Sequence, residues 1–248
     1  MRKPPVLRPD DEAISVGRVF GTPLMIKGFT WFPLTQSIMW GIMSWIAGKT
    51  RPDRSLGERM RMATFTMPAV LGSEWGHNLA HAAAARWIGK PMDAIRISWG
   101  MPLCVYYDIN DDSVTPRQHI FRALGGPLFS FTLLVISSAI RRFSPKDSLS
   151  REVADVSVVT NAFLSTVSLL PIPGIDGGPI LKWSLVDRGR TVEEADRVIR
   201  KIDGGLGIAL SFFSGAAISR GRRVIGLLSA MLAVMSFGVA LGWIREQE

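Results

Sequence analysis

The sequence predicts an α-helical polytopic membrane protein, with about six transmembrane helices and a small membrane-associated β-sheet. Three observations carry that prediction. Apolar residues, 47% of the 248, gather in runs near 29–48, 62–88, 120–140, 153–175, 203–219 and 223–244, each near the ~20 residues that span a hydrocarbon core. Charged residues are only 20% of the chain and fall mostly between the runs, in 49–61, 141–152 and 182–203, where a soluble domain would spread more charge evenly. Two stretches, 17–27 and 92–118, carry short apolar segments bounded by glycine and proline, which is a strand pattern.

In chain order, 1–17 is polar and proline-rich and reads as an N-terminal tail, leaving 18–248 as a single integral membrane domain. The tail lacks the compact apolar core of a signal peptide, so no cleavage is expected. A short strand fits 17–27, and the first span opens near Phe29 with Pro33 and Gln36 inside it. Residues 49–61 form a charged turn, after which a long helix runs to Gly89-Lys90-Pro91, where glycine and proline stop it. Short β segments are expected at 95–98 and 103–107, around Gly100-Met101-Pro102. Asp108, Asp111 and Asp112 follow without EF-hand spacing, so a solvated turn is favoured over a calcium loop. His119 is expected at the interface just outside the third span, not as a ligand. That span opens on Ala123-Leu124-Gly125-Gly126-Pro127, small residues that let a neighbouring backbone approach. The fourth run breaks over 169–179, where three prolines and three glycines precede or surround Asp176. Irregular backbone at membrane depth must be buried in protein or line a wet cavity. Residues 187–201 read as a charged amphipathic segment lying at the interface.

The formal charge of +8 raises the question of nucleic acid. The Lys and Arg are spread over every connecting segment with no basic helix or aromatic-interleaved patch, so no nucleic-acid partner is expected; they anchor spans against lipid headgroups. The lone cysteine, Cys104, excludes an internal disulfide framework.

The chemistry is concentrated in 69–89, AVLGSEWGHNLAHAAAARWIG, where Glu74, His77 and His81 interrupt an apolar helix. Ionisable groups at that depth are costly and mark function. At about 100° per residue all three project from one face. Two imidazoles at i and i+4 can grip one metal ion, as in the H-E-x-x-H zinc motif. Here the five residues are His77-Asn78-Leu79-Ala80-His81, so the ligand spacing is present without the glutamate. The alternative is a hydrogen-bonded structural cluster. Asp176, at the proline-rich break, is the natural third ligand, and two histidines plus one carboxylate leave a fourth zinc position for water. A helix cap is the other reading of Asp176.

These residues resemble the site-2 protease family, zinc metalloproteases that cut transmembrane substrates inside the bilayer. FGTPLMIKGFTW at 20–31 is similar to the strand before the family's first core helix. HNLAHAAAARWIGKPMDAIRI at 77–97 resembles the metal-binding helix and its continuation, ALGGPLFSF at 123–131 the entry to the next core helix, and SLLPIPGIDGGPIL at 168–181 the proline-rich Asp-Gly motif. The resemblance implies one Zn2+ held by His77, His81 and Asp176. It also implies a membrane-embedded sheet from 20–27 and 93–107 that holds a transmembrane-helix or extended peptide substrate as an added strand. Two positions depart from the family. The general-base glutamate is replaced by Asn78, and the asparagine that steadies the developing oxyanion is replaced by Ser168; Asn161 matches a second family asparagine. Glu74 shares the face of the histidines and is a surrogate base, or a fourth ligand through Glu-x-x-His spacing. The expected function is therefore peptide-bond hydrolysis within the bilayer by a metal-activated water. The alternatives are an inactive pseudoprotease that binds transmembrane helices, and a different metal-dependent membrane enzyme or carrier on the same scaffold.

Overall fold

The computed structural model describes residues 13–244, so most of the expected tail lies outside the described residues. The chain divides into two compact units. One is the chain up to Tyr107 with Leu124–Val167; the other is Asp108–Ala123 with the chain from Ser168 onward.

The first unit opens with β1 (Ile14–Val19) and β2 (Thr22–Ile26), followed by a 3-10 turn (Gly28–Trp31), α1 (Leu34–Thr50), α2 (Leu56–Trp87), β3 (Ala94–Ser98) and β4 (Met101–Val105). The strands form one sheet in sequence order, antiparallel at β1–β2 and β3–β4 and parallel at β2–β3. Both hairpins turn on two residues at positive φ, Phe20-Gly21 and Trp99-Gly100, the backbone that tight right-twisted hairpins require. Pro102 is tolerated because β4 is an edge strand. Three expectations shift here. The boundary at residue 17 falls within β1, the single strand of 17–27 is a hairpin, and the strands after α2 begin one or two residues earlier than the apolar pattern indicated. The first helix starts at Leu34 rather than Phe29, because Gly28 takes positive φ and Pro33 occupies the N-cap.

α2 has defined ends. Ser55 and Glu58 form a capping box at its start. At its end, Gly89 at φ +72 with Lys90 N–H on the Ala85 carbonyl (3.0 Å) and Gly89 N–H on that of Arg86 (3.0 Å) closes the helix. Ala82, Ala85, Met92 and Ile95 form a buried cluster with Leu24, Leu79 and Cys104 against it, so the histidine-bearing end of α2 is bolted to the sheet. α3 (Pro116–Phe143) and α4 (Leu149–Thr166) complete this unit, α3 with its residues from 124 onward. The ends of α1–α2 and α3–α4 are knitted by Arg54–Glu152, Arg51–Asp147 and Arg141–Asp155.

The second unit contains the start of α3, the break at 168–176, α5 (Gly177–Asp187), α6 (Val192–Ser219) and α7 (Arg223–Ala240). Ile172, in the break, is fully buried in a cluster with Ile199 and Val239, which satisfies the demand that irregular backbone be enclosed. A Cβ on Gly178 would lie 2.6 Å from the Ile172 carbonyl oxygen, so the break can fold back on α5 only over a glycine. The charged stretch expected to lie at the interface is not a separate element. From Val192 it is the first third of α6, started by a Thr191–Glu194 capping box. His119, expected just outside the third span, lies in the first turn of α3. It is 2% exposed and its ring stacks on Trp183 at 3.7 Å.

α3, α6 and α7 are long and apolar enough to cross a membrane. α1 and α4, at 17 and 18 residues, and α2, with its polar interior, fall outside that group.

Candidate metal centre

His77 and His81 lie one turn apart on α2, 7% and 6% exposed. Their Nε2 atoms face each other at 3.2 Å, and the rings meet edge to face at 4.9 Å. The other edge of each ring is turned to α3. His77 Nδ1 lies 2.9 Å from Ser130 Oγ, and the Gly126 N–H donates to His81 Nδ1 at 3.4 Å. Such contacts fix ring orientation.

The helix α3 passes this closely because of two glycines. A Cβ on Gly125 would lie 2.6 Å from the Ala80 carbonyl, and one on Gly126 would press on the Nε2 atoms of both histidines. Sequence reasoning anticipated a close backbone approach at this Gly-Gly-Pro; it did not identify Ser130, 53 residues from His77, as the partner of the imidazole. The signal available was the position of Ser130 one turn after Gly126, on the same face of α3.

Asn78 points elsewhere. Its Nδ2 donates to the Glu74 carbonyl at 2.9 Å, and its Oδ1 accepts from the Cys104 thiol of β4 at 3.2 Å. The amide is thus held between its own helix and the sheet, and Cys104 is a second neighbour that sequence reading missed. The Glu74 carboxylate, one turn before His77, is half-buried and has no hydrogen-bond or ion-pair partner among the described residues. Asn161, on α4, is fully buried and donates to Ser73 Oγ at 2.8 Å, one turn before His77 on α2.

Asp176 and Ser168 belong to the second unit. Ser168 lies in the 3-10 turn Val167–Leu169. Asp176 occupies the N-cap position of α5, yet its side chain makes no capping hydrogen bond, so the cap reading of this residue is not what its carboxylate does.

No family model matches the sequence, and no curated protein matches it. Among solved structures, the chain is similar to the site-2 protease from Methanocaldococcus jannaschii. The TM-score is 0.54 at 14% identity, covering 95% of this chain and 98% of that one. With the strand–helix–hairpin order and the histidine pair already in place, the conclusion is that this chain has a site-2 protease-like fold.

Proposed function

We propose that this protein is a divergent, multi-pass intramembrane metalloprotease that holds one zinc ion on His77, His81 and Asp176 and hydrolyses peptide bonds of membrane-embedded substrates. The observation that carries the reading is the histidine pair. Nitrogens bonded to a tetrahedral zinc at about 2.0–2.1 Å stand about 3.3–3.4 Å apart, and the two buried Nε2 atoms stand at 3.2 Å with their Nδ1 edges already engaged by α3. The donor set of two imidazoles and a carboxylate is that of a catalytic zinc site, and the bound ion would polarise the scissile carbonyl and acidify a water.

The remaining work falls to this chain's own side chains. Asn78 has no ionisable proton site, and its amide is held at both ends. Glu74 is the carboxylate on the histidine face, and we assign it the base, taking the proton of the attacking water and returning it to the leaving amine. Ser168 stands where the family resemblance implies an oxyanion donor and can offer one hydroxyl. The edge strand β4 offers backbone groups to an extended substrate segment.

Metal analysis of purified wild type beside His77→Ala tests the site, and cleavage of single-span peptide reporters in liposomes tests the chemistry. Glu74→Gln should retain the metal and lose about 10²–10⁴-fold in turnover; unchanged turnover would sink the surrogate base.

The locked amide favours a second reading, a pseudoprotease that binds transmembrane helices. Under that reading wild type cleaves nothing and Asn78→Glu creates cleavage. Under ours, Asn78→Glu adds nothing, because its carboxylate meets the Cys104 thiol.

A further inference from the structure

The turn between α6 and α7 carries a charge that nothing on the described chain answers. From Gly204 to Ile244 the only ionisable side chains are Arg220, Arg222 and Arg223; every other residue in the stretch is apolar or small. Both helices are long and apolar enough to cross a membrane. The 18 residues of α7 reach about 27 Å at 1.5 Å per residue, close to the ~30 Å of a hydrocarbon core. The three arginines therefore emerge together at a membrane surface.

The turn is tight. A Cβ on Gly226 would lie 2.4 Å from Ile218 Cγ1, and Ser214 Oγ donates to the Gly226 carbonyl at 2.7 Å, so the helices touch close to their ends. Gly221, at φ +76, gives its N–H to the Ile218 carbonyl (2.9 Å), and Arg222 N–H bonds that of Ala217 (2.9 Å). The backbone closes on itself and leaves the guanidiniums outside. All three arginines are exposed, and none makes a side-chain hydrogen bond or ion pair with another described residue. The turns of the first unit are built differently, since Arg51, Arg54 and Arg141 there meet Asp147, Glu152 and Asp155. Beside the α6–α7 arginines, Ile218, Val224, Ile225 and Leu227 are exposed as well. A cationic tip rimmed by apolar side chains suits lipid, where the rim is covered; an acidic protein or a nucleic acid would leave that rim in water.

We propose that the turn at 220–223 binds the phosphate groups of anionic phospholipids. Guanidinium forks grip phosphate oxygens in pairs, while Ile218, Val224, Ile225 and Leu227 lie against the acyl chains. A zwitterionic headgroup brings its own ammonium to a cluster that already holds three positive charges, so net-anionic lipid is preferred. Bound there, the turn is held at headgroup level, which sets the depth of the α6–α7 hairpin. This site needs the hairpin to stand in a bilayer and does not rest on the metalloprotease reading.

The test uses full-length protein in phosphatidylcholine liposomes doped with photoactivatable phosphatidylglycerol or, in parallel, photoactivatable phosphatidylcholine. Mass spectrometry then gives the ratio of the two adducts on the 204–231 segment. Wild type should favour phosphatidylglycerol, and a ratio near one overturns the site. One basic residue at an anionic surface is worth about five-fold, so Arg220→Gln/Arg222→Gln/Arg223→Gln should lower the ratio by at least about five-fold; an unchanged ratio overturns the proposal. Arg222→Gln alone should give a smaller fall if the triple variant fails to insert. Arg188→Gln/Arg190→Gln, which neutralises exposed arginines elsewhere, should leave the ratio unchanged, and an equal fall there would mean general surface charge and no site. Inorganic phosphate should compete no better than sodium chloride of the same ionic strength; if it displaces the lipid selectively, the site is one for free phosphate and the lipid assignment fails. These readouts involve neither metal nor cleavage, so a failed protease assay leaves the result intact.

Discussion

Two buried polar clusters in this molecule are built on opposite plans. In the α2–α3–α4 bundle, Asn161, Ser73, Ser137 and Ser157 share hydrogen bonds across three helices. In the α6–α7 hairpin, Asp203 is 0% exposed and faces Ser236, yet neither carboxylate oxygen is in a hydrogen bond of normal geometry among the described residues. The first arrangement locks side-chain directions one turn from His77. The second is a lone pair of polar side chains, Asp203 and Ser236, in a hairpin whose Ile199, Leu206, Leu232 and Val239 belong to the apolar cluster that encloses the 168–176 break. Networked polar groups specify a geometry, while isolated ones cost stability, so the contrast assigns precision to the histidine bundle and tolerance to the hairpin.

The largest effect that would sharpen this contrast is at α3. Gly126→Ala puts a methyl against both facing imidazole nitrogens and should abolish stoichiometric metal binding, measured by elemental analysis, in a protein that still folds. Full metal occupancy in the alanine variant would show that the pair does not need this approach. A smaller effect, of opposite sign at the two clusters, should follow from deleting their polar groups. Asn161→Leu removes donors from Ser73 and the Ser157 carbonyl and should destabilise by about 1–3 kcal/mol. Asp203→Leu removes an unanswered buried carboxylate and should raise the thermal midpoint in detergent, on the order of 2–4 °C per kcal/mol recovered. If both substitutions shift the midpoint the same way, the contrast is wrong. The smallest effect is at the start of α2. Hydrogen bonds from Ser55 lower the pKa of Glu58 below its usual 4.5. The stabilisation it gives is therefore complete above the unfolded value and is lost as pH falls through the folded one. Amide exchange in the first turn of α2 should accelerate over that acidic range and not in Glu58→Gln.

The sequence carried the site's local half. The i, i+4 histidines, the stop at Gly89 and the helix break over 169–179 are decided by residues close together in the chain, and each is found where it was expected. Contacts between distant segments were not legible. The pattern places Ser130 on the face of Gly126 but does not pair it with His77, and nothing in it pairs Cys104 with Asn78, since each contact joins helices or strands whose approach depends on packing. That His119 would be buried was not legible either, because its stacking on Trp183 comes from packing between distant segments; Arg122, 2.7 Å away, is its local partner. α6 was read short because its first three turns are charged, and the glycines at 204, 205 and 207 weaken helix propensity without ending the helix.

The parallel pairing of β2 with β3 bears on how the protein is made. Leu24 sits opposite Ile95, so these neighbours in the sheet are separated by the whole of α1 and α2. During synthesis the first hairpin emerges early but must wait, its inner edge unsatisfied, until both helices have left the ribosome and been placed. Non-local parallel pairings of this kind form slowly. Closing the sheet is therefore expected to be a late step in folding. It ties the strand before α1 to the strand after α2, and so joins the two chain ends of the α1–α2 hairpin.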